Sequence, residues 1–237
     1  MPNLKSYTYK TLQGPYLNLN EDYVSVDFSS SLFLLIDSFG GQGVGDKICN
    51  FIDSNFSNYY NHLTSDPDST LPLFFSPQYF IETNALANAL KRVHQDIFIE
   101  NMKQEPRFRG GASLTALSVS DGYLHLCSLG SNIAVIVNED NYRIIDLPET
   151  TGDGELKVVD NALGLYEQVQ FSLKDIRVQE GDKVLILSDG IHSNFSPSEL
   201  QVLARESRNN EDLLNNLIGI ANSRGNKDNL SGILLNF

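Results

Sequence analysis

The order of two hydrophobic patterns along the chain restricts the fold more than any other feature of the sequence. Short apolar runs bounded by turn residues indicate strands, and longer stretches with apolar residues at helical spacing indicate helices. The strand-like runs are residues 23–26, 32–36, 114–119, 123–128, 133–137, 142–147, 169–173, 184–187 and 230–235. The helical stretches are residues 44–60, 76–102, 197–206 and 211–222. Two helices therefore come early, two come late, and most strands lie between them.

This order predicts the fold class. The four runs between residues 114 and 147 are joined by tight turns such as Asp121-Gly122, so we expect an antiparallel meander there. The second helix is expected to begin at Ser76 as its cap, with Pro77 in its first turn. Helices that are separate from strands in sequence pack on the outer faces of antiparallel sheets. We therefore expect an α+β fold, a four-layer αββα sandwich of two antiparallel sheets flanked by helices.

Charge and cysteine content exclude several classes of protein. The 17 basic and 30 acidic residues give a net charge of −13, which disfavours binding to nucleic acids and to anionic membranes. The apolar runs are too short to span a membrane, and the first ten residues lack the apolar core of a signal peptide. Cys49 and Cys127 show no CxxC spacing, so buried free thiols are expected. We expect a cytoplasmic protein with no nucleic-acid or membrane partner.

Four aspartates lie at the tips of the predicted strands. Asp37 and Asp189 come at the end of apolar runs, and Asp22 and Asp228 come just before them. A single aspartate in this position is usually a turn residue. Four of them can converge on one edge of a sandwich, and hard cations such as Mg²⁺ or Mn²⁺ bind through carboxylates, carbonyls and water. The sequence therefore predicts a two-metal site.

Six short motifs that include these aspartates follow one another in a fixed order. They are Asn20-Glu21-Asp22, Asp37-Ser38-Phe39-Gly40-Gly41, Gly130-Ser131-Asn132, Asn161-Ala162-Leu163-Gly164, Ser188-Asp189-Gly190 and Asp228-Asn229. Their order and spacing resemble those of the metal-dependent protein phosphatases of the 2C type across roughly residues 14–237. The resemblance implies the αββα fold and one minimal, bacterial-like phosphatase 2C domain over residues 1–237.

The resemblance also implies a function and a set of site residues. It implies hydrolysis of phosphoserine and phosphothreonine in proteins by metal-activated water at a binuclear Mn²⁺/Mg²⁺ centre. Carried over position by position, Asp37 bridges the two ions and the Ser38 carbonyl ligates one of them. Asp189 and Asp228 hold the other ion, and Asp22 acts mainly through water. Asp37, Asp189 and Asp228 are then the catalytic residues of a monomeric signalling enzyme, whose partners are phosphoproteins and a Ser/Thr kinase or its targets.

The phosphate-binding residue of the family is missing. Leu17 stands where relatives place an arginine, and no Lys or Arg lies between Thr11 and Asp37. Phosphate would then be bound by the metals alone or by a basic residue from elsewhere, such as Arg107 or Arg109.

Other departures leave alternatives open. Ser38 replaces a glycine, and Ser131 replaces an aspartate that helps a third, weaker metal site in the family. With Leu17, these changes admit a catalytically weak or inactive member that acts as a binding or regulatory module. Another metal-dependent phosphoesterase on the same scaffold is a third possibility. His192, three residues after Asp189, is either an acid or phosphate ligand at the metal edge or a solvent-facing loop residue.

Overall fold

The computed structural model describes residues 3–66, 70–138, 142–146, 161–207 and 209–237. Their strands are β1 Ser6–Leu12, β2 Asp22–Asp27, β3 Leu32–Phe39, β4 Gly111–Ser120, β5 Tyr123–Leu129, β6 Ile133–Val137, β7 Tyr142–Asp146, β8 Ser172–Arg177, β9 Lys183–Leu187 and β10 Leu230–Asn236. Their α-helices are α1 Val44–Ser65, α2 Ile81–Met102, α3 Asp189–His192, α4 Pro197–Glu206 and α5 Asn210–Ser223. One sheet has the order β1-β10-β9-β6-β7, and the other has the order β2-β3-β4-β5-β8. All neighbouring strands are antiparallel.

The two sheets pack face to face, with helices on both outer surfaces. Because side chains alternate along a strand, Phe33 and Leu35 of β3 face the other sheet, where they join Ile186 of β9 in one buried cluster. Leu34 and Ile36 point the opposite way and pack under α1 and α2. A third cluster packs α4 and α5 on the first sheet. The predicted α+β fold, a four-layer αββα sandwich, is confirmed.

Strand β1, at the edge of the first sheet, was not predicted from the sequence. This strand pairs along its whole length with β10, from Ser6 opposite Asn236 to Leu12 opposite Leu230. As an edge strand it is only partly buried, and its sequence SYTYKTL is largely polar. An apolar run, the signal on which the other strands were predicted, is therefore absent.

The predicted four-strand meander is wrong. The chain leaves the second sheet after β5 at Gly130, which has a φ of 98°, and β6 pairs with β9 in the first sheet. The four strands therefore form two hairpins, one in each sheet. The strand predicted at 169–173 lies instead at 172–177, and Leu147 of the run 142–147 falls outside the described residues.

The second helix begins five residues later than predicted. The Asn84 carboxamide accepts a hydrogen bond from Ser76 N (2.8 Å) and donates one to Ser76 O (3.0 Å), which holds residues 76–80 in a turn. Asp175 of β8 accepts a hydrogen bond from Phe80 N, the N-cap residue of α2, at 3.0 Å. Long-range side-chain contacts therefore set this helix start, and Ser76 does not cap it.

The start of α4 is set by local sequence, and the expected free thiols are present. Ser196 caps α4 in a reciprocal arrangement with Glu199, in which each side chain accepts from the other's backbone N–H. Cys49 and Cys127 are buried free thiols. Among the described helices, none combines the length and the apolar character that a membrane crossing requires.

Candidate metal site

Asp22 and Asp37 lie directly opposite each other on neighbouring strands, at one end of the second sheet. The residues two positions away on the same strands are Val24 and Leu35, and both belong to the cluster between the sheets. By strand alternation, both carboxylates therefore lie on the face toward the other sheet. Like charges in directly opposed positions destabilise a sheet, so a bound cation would stabilise this pair.

The first sheet supplies the other two aspartates to the same region. Asp189 follows β9 as the first residue of α3, and Asp228 lies two residues before β10. These neighbouring strands are joined at this end because Ser188 N donates to Ser231 O (2.9 Å) and Ser231 N donates to Ser188 Oγ (3.0 Å). The carboxylate of Asp228 accepts a hydrogen bond from Asn229 N at 2.9 Å, which fixes its orientation.

The charges of the four carboxylates act on one another. The pKa of Asp37 is raised well above its usual value, first by burial and then by the charges of Asp22, Asp189 and Asp228. Burial raises the pKa of Asp22 to about 7, although hydrogen bonds from serine side chains oppose this shift. Such shifts mean that the site disfavours its own negative charge. The structure thus brings together the four aspartates that the sequence singled out.

The donor set suits hydrated hard cations. Asp22 Oδ2 is buried and has no hydrogen-bond partner within the described part of the chain, which is rare for a carboxylate oxygen. In the same residues, no group of three or more His, Cys, Asp or Glu side chains is clustered tightly enough to hold an ion alone. Mg²⁺ typically retains several waters and takes one or two carboxylates, and Mn²⁺ favours the same oxygen ligands. The residues present therefore fit such ions with water completing the coordination.

The serine at position 38, which replaces a glycine of the family, makes hydrogen bonds that the sequence did not indicate. Its N–H donates to Glu21 O (3.1 Å), and so does its hydroxyl (2.8 Å). The hydroxyl lies 3.2 Å from the buried Cys49 Sγ, on the α1 side of the sheet and away from the facing carboxylates. The serine side chain therefore ties β3 to the start of β2, without crowding the cation region.

Ser131 and His192 support Asp37. The Ser131 hydroxyl donates to Asp37 Oδ2 at 3.3 Å, and Ser131 N donates to Ser113 Oγ at 3.0 Å. His192 Nε2 donates to Ser131 O at 2.8 Å. His192 is thus half-buried on α3, not on a solvent-facing loop. Its sequence distance from Asp189 was the only signal of this contact.

Sequence reasoning also left Glu21 and Asp46 without a role. The pKa of Glu21 is raised by burial and by the charges of Asp46 and Asp228, so the acidic region extends to the first turn of α1. Glu21 N donates to Asn229 Oδ1 at 2.9 Å and so connects the two sheets at the site. An acidic residue in the first turn of a helix is common, so Asp46 gave no distinctive signal.

The two alternative phosphate ligands make contacts within their own segment. Arg107 pairs with Glu105 at 3.0 Å and stacks on the Phe108 ring. Arg109 Nε donates to Gln104 O at 3.0 Å. Phosphate binding by either arginine therefore stays a prediction.

Comparison with known proteins supports the resemblance. No family model matches the chain. The protein phosphatase PhpP of Streptococcus pneumoniae serotype 2 is 21% identical in an alignment that covers 91% of each protein. The serine/threonine phosphatase PstP/Ppp of Mycobacterium tuberculosis superposes with a TM-score of 0.80 at 18% identity over 98% of both chains.

Two further solved structures share the fold. The catalytic domain of the phosphatase PstP in complex with two manganese ions gives a TM-score of 0.77 at 20% identity, covering 98% of this chain and 97% of that one. The PPM Ser-Thr phosphatase MsPP from Mycobacterium smegmatis, in complex with cacodylate, gives 0.75 at 20% identity over all of both chains. This chain therefore has the fold of the PPM phosphatases, and its resemblance to the 2C type is confirmed.

Proposed function

We propose that this protein hydrolyses phosphoserine and phosphothreonine in proteins, using two Mn²⁺ or Mg²⁺ ions at the carboxylate edge of the sandwich. The observation that carries the proposal is the meeting of Asp22 and Asp37 from one sheet with Asp189 and Asp228 from the other. The phosphatases of the same fold support it, among them one solved with two manganese ions. We assign residues 1–237 to a single catalytic domain.

The chain's own residues hold and orient the reacting groups. When bound, two divalent ions make water a better nucleophile at neutral pH and neutralise phosphate charge. In this proposal Asp37 would contact both ions and the Ser38 carbonyl would ligate one of them. Asp189 and Asp228 would hold the second, and Asp22 would act through water. In the net reaction a water oxygen would form a bond to phosphorus as the bond to the seryl or threonyl oxygen breaks. The water would lose a proton and the leaving oxygen would take one up, so no side chain would form a bond to phosphorus.

The cellular setting follows from this activity. The substrates are phosphoproteins, and a Ser/Thr kinase or the targets of such a kinase are the expected partners. We propose a cytoplasmic signalling enzyme that works as a monomer.

A metal-dependent assay tests the proposal. We expect the protein to release phosphate from a phosphothreonine peptide and to hydrolyse p-nitrophenyl phosphate with Mn²⁺, to lose both activities in EDTA, and to regain them with excess Mn²⁺. Mn²⁺ binding without turnover would instead favour the alternative that Leu17 and Ser131 suggest, an inactive binding module. Turnover of small phosphoesters without peptide hydrolysis would favour another phosphoesterase.

Leu17→Arg is expected to lower KM for a phosphopeptide by about ten- to a hundredfold. Leu17 is 38% exposed at the position of the family's arginine. A guanidinium makes charge-assisted hydrogen bonds to phosphate, each worth about 1.5–3 kcal/mol, and each 1.4 kcal/mol corresponds to about tenfold in affinity. Steady-state kinetics on wild type and variant measures the change.

Matched variants separate this account from the alternative ligands. Val202→Arg adds the same charge at an exposed site on α4 and should leave KM unchanged. If Arg107 or Arg109 already binds phosphate, alanine there should raise KM, while Leu17→Arg should have little effect. A change below about twofold in all three site variants would contradict both accounts.

A further inference from the structure

Four large hydrophobic side chains are exposed in the segment that packs beside the candidate metal site. Leu12, Tyr16, Leu17 and Leu19 are 37%, 67%, 38% and 49% exposed, and all lie within eight residues at the end of β1 and in the connection to β2. We refer to these four side chains as the apolar rim. Exposed apolar side chains grouped in this way often mark an interaction site.

The apolar rim is fixed against the carboxylate edge. Asn229, directly after Asp228, donates its side-chain N–H groups to Gln13 O (2.7 Å) and Leu19 O (3.1 Å). Gly14 has a φ of +80°, and a Cβ there would lie 2.5 Å from the carbonyl oxygen of Asp228. The backbone of the connection therefore packs directly on the segment that carries a candidate metal ligand.

Charge favours an apolar ligand for this surface. No basic residue lies between Thr11 and Asp37, and the net charge of the chain is −13. The charges of Asp46 and Asp228 act on Glu21 close to this surface. Acidic residues next to a phosphorylated side chain would meet repulsion from these carboxylates. Apolar residues would instead gain free energy by covering the exposed rim.

We propose that the apolar rim binds the residues that flank the phosphorylated serine or threonine, and that the preferred substrates carry apolar side chains there. This inference rests on the proposed phosphatase function and specifies its substrate class. In place of the missing arginine at Leu17, binding energy comes from the peptide around the phosphate.

Two phosphothreonine peptides that differ only in their flanks test the proposal. One carries Leu and Phe beside the phosphothreonine and the other carries Ser at the same positions. We expect wild-type kcat/KM with Mn²⁺ to be about tenfold higher for the apolar peptide, in line with pocket discrimination of small apolar groups. The double variant Tyr16→Ser/Leu19→Ser should bring this ratio to within about twofold of one.

The double variant Phe75→Ser/Val202→Ser is the matched control, because these side chains are 66% and 49% exposed at other positions. It should keep the wild-type ratio. Equal rates on both peptides with the wild type would overturn the rim proposal alone. If neither peptide is hydrolysed, the phosphatase function is overturned, and the rim proposal is overturned with it. A rim variant that converts a dimer to a monomer in sedimentation would assign the rim to contact between copies, which also overturns the proposal.

Discussion

Asp37→Asn is expected to lower Mn²⁺-dependent turnover by about a thousandfold or more while leaving the fold intact. The amide has the shape of the carboxylate but lacks the charge, and Asp37 is the aspartate that we place between both ions. Metal stabilisation of transition-state charge is worth several kcal/mol, and each 1.36 kcal/mol corresponds to tenfold in rate. Hydrolysis of p-nitrophenyl phosphate at saturating Mn²⁺ measures the loss.

The same variant should not lose stability in EDTA. The pKa of Asp37 is raised first by burial and then by the charges of Asp22, Asp189 and Asp228, so the folded state disfavours its charge. A neutral amide relieves that repulsion, so urea denaturation without metal should find the variant as stable as wild type or more stable. Wild type should then gain more stability from Mn²⁺ than the variant, because only binding to the folded state stabilises it.

Asp27→Asn, at the other end of β2, is the matched control. Hydrogen bonds from Ser29 and Asn61 lower the pKa of Asp27 to about 2, so its charge is favoured in the folded state. This variant should keep turnover and lose stability at neutral pH, the reverse of Asp37→Asn. Full activity of Asp37→Asn at saturating Mn²⁺ would show that the bridging role belongs to another residue.

The part of the site that was predictable lies within single strands. A continuous apolar run followed by an aspartate identifies Asp37 as a residue near a strand end, and a short β2–β3 turn brings Asp22 opposite it. Local sequence carries this information because a hairpin fixes its own register. The four aspartates could therefore be identified from the sequence, whereas their arrangement could not.

The remainder depends on contacts between distant parts of the chain. Asp189 and Asp228 meet because β9 and β10 are neighbours in one sheet, and no local pattern specifies that pairing. The contact between His192 and Ser131 spans 61 residues. The late start of α2 depends likewise on Asp175, which lies about ninety residues away from the helix in sequence.

The edge of a sheet is the other place where sequence patterns fail. β1 is partly exposed and polar, so its hydrophobic signal is weak even though it pairs with β10 over seven residues. The passage of the chain between the sheets at Gly130 could not be predicted either. A glycine between two strands indicates a turn, but it does not indicate which sheet the next strand joins. A φ of 98° there suits glycine, but the pairing of β6 with β9 is a tertiary property.

Gly190→Ala is expected to destabilise the protein by more than about 4 kcal/mol, at the upper end of what single substitutions do. A Cβ at Gly190 would lie 1.8 Å from the carbonyl oxygen of Asn229 and 3.2 Å from the Cβ of Asp228. The first of these atoms is backbone, so it cannot move aside as the end of a side chain would. Either α3 or the segment before β10 must shift, and the two carry Asp189 and Asp228.

Gly219→Ala on α5 is the matched control, because nothing lies within 4 Å of a Cβ added there. In a helix, alanine is favoured over glycine by up to about 1 kcal/mol, so this variant should be slightly more stable than wild type. Urea denaturation measures both variants. If Gly190→Ala still folds, Asp189 and Asp228 should lie farther apart, so the variant should need a higher Mn²⁺ concentration for half-maximal turnover. Wild-type stability together with an unchanged Mn²⁺ requirement would show that this close backbone approach does not position the metal ligands.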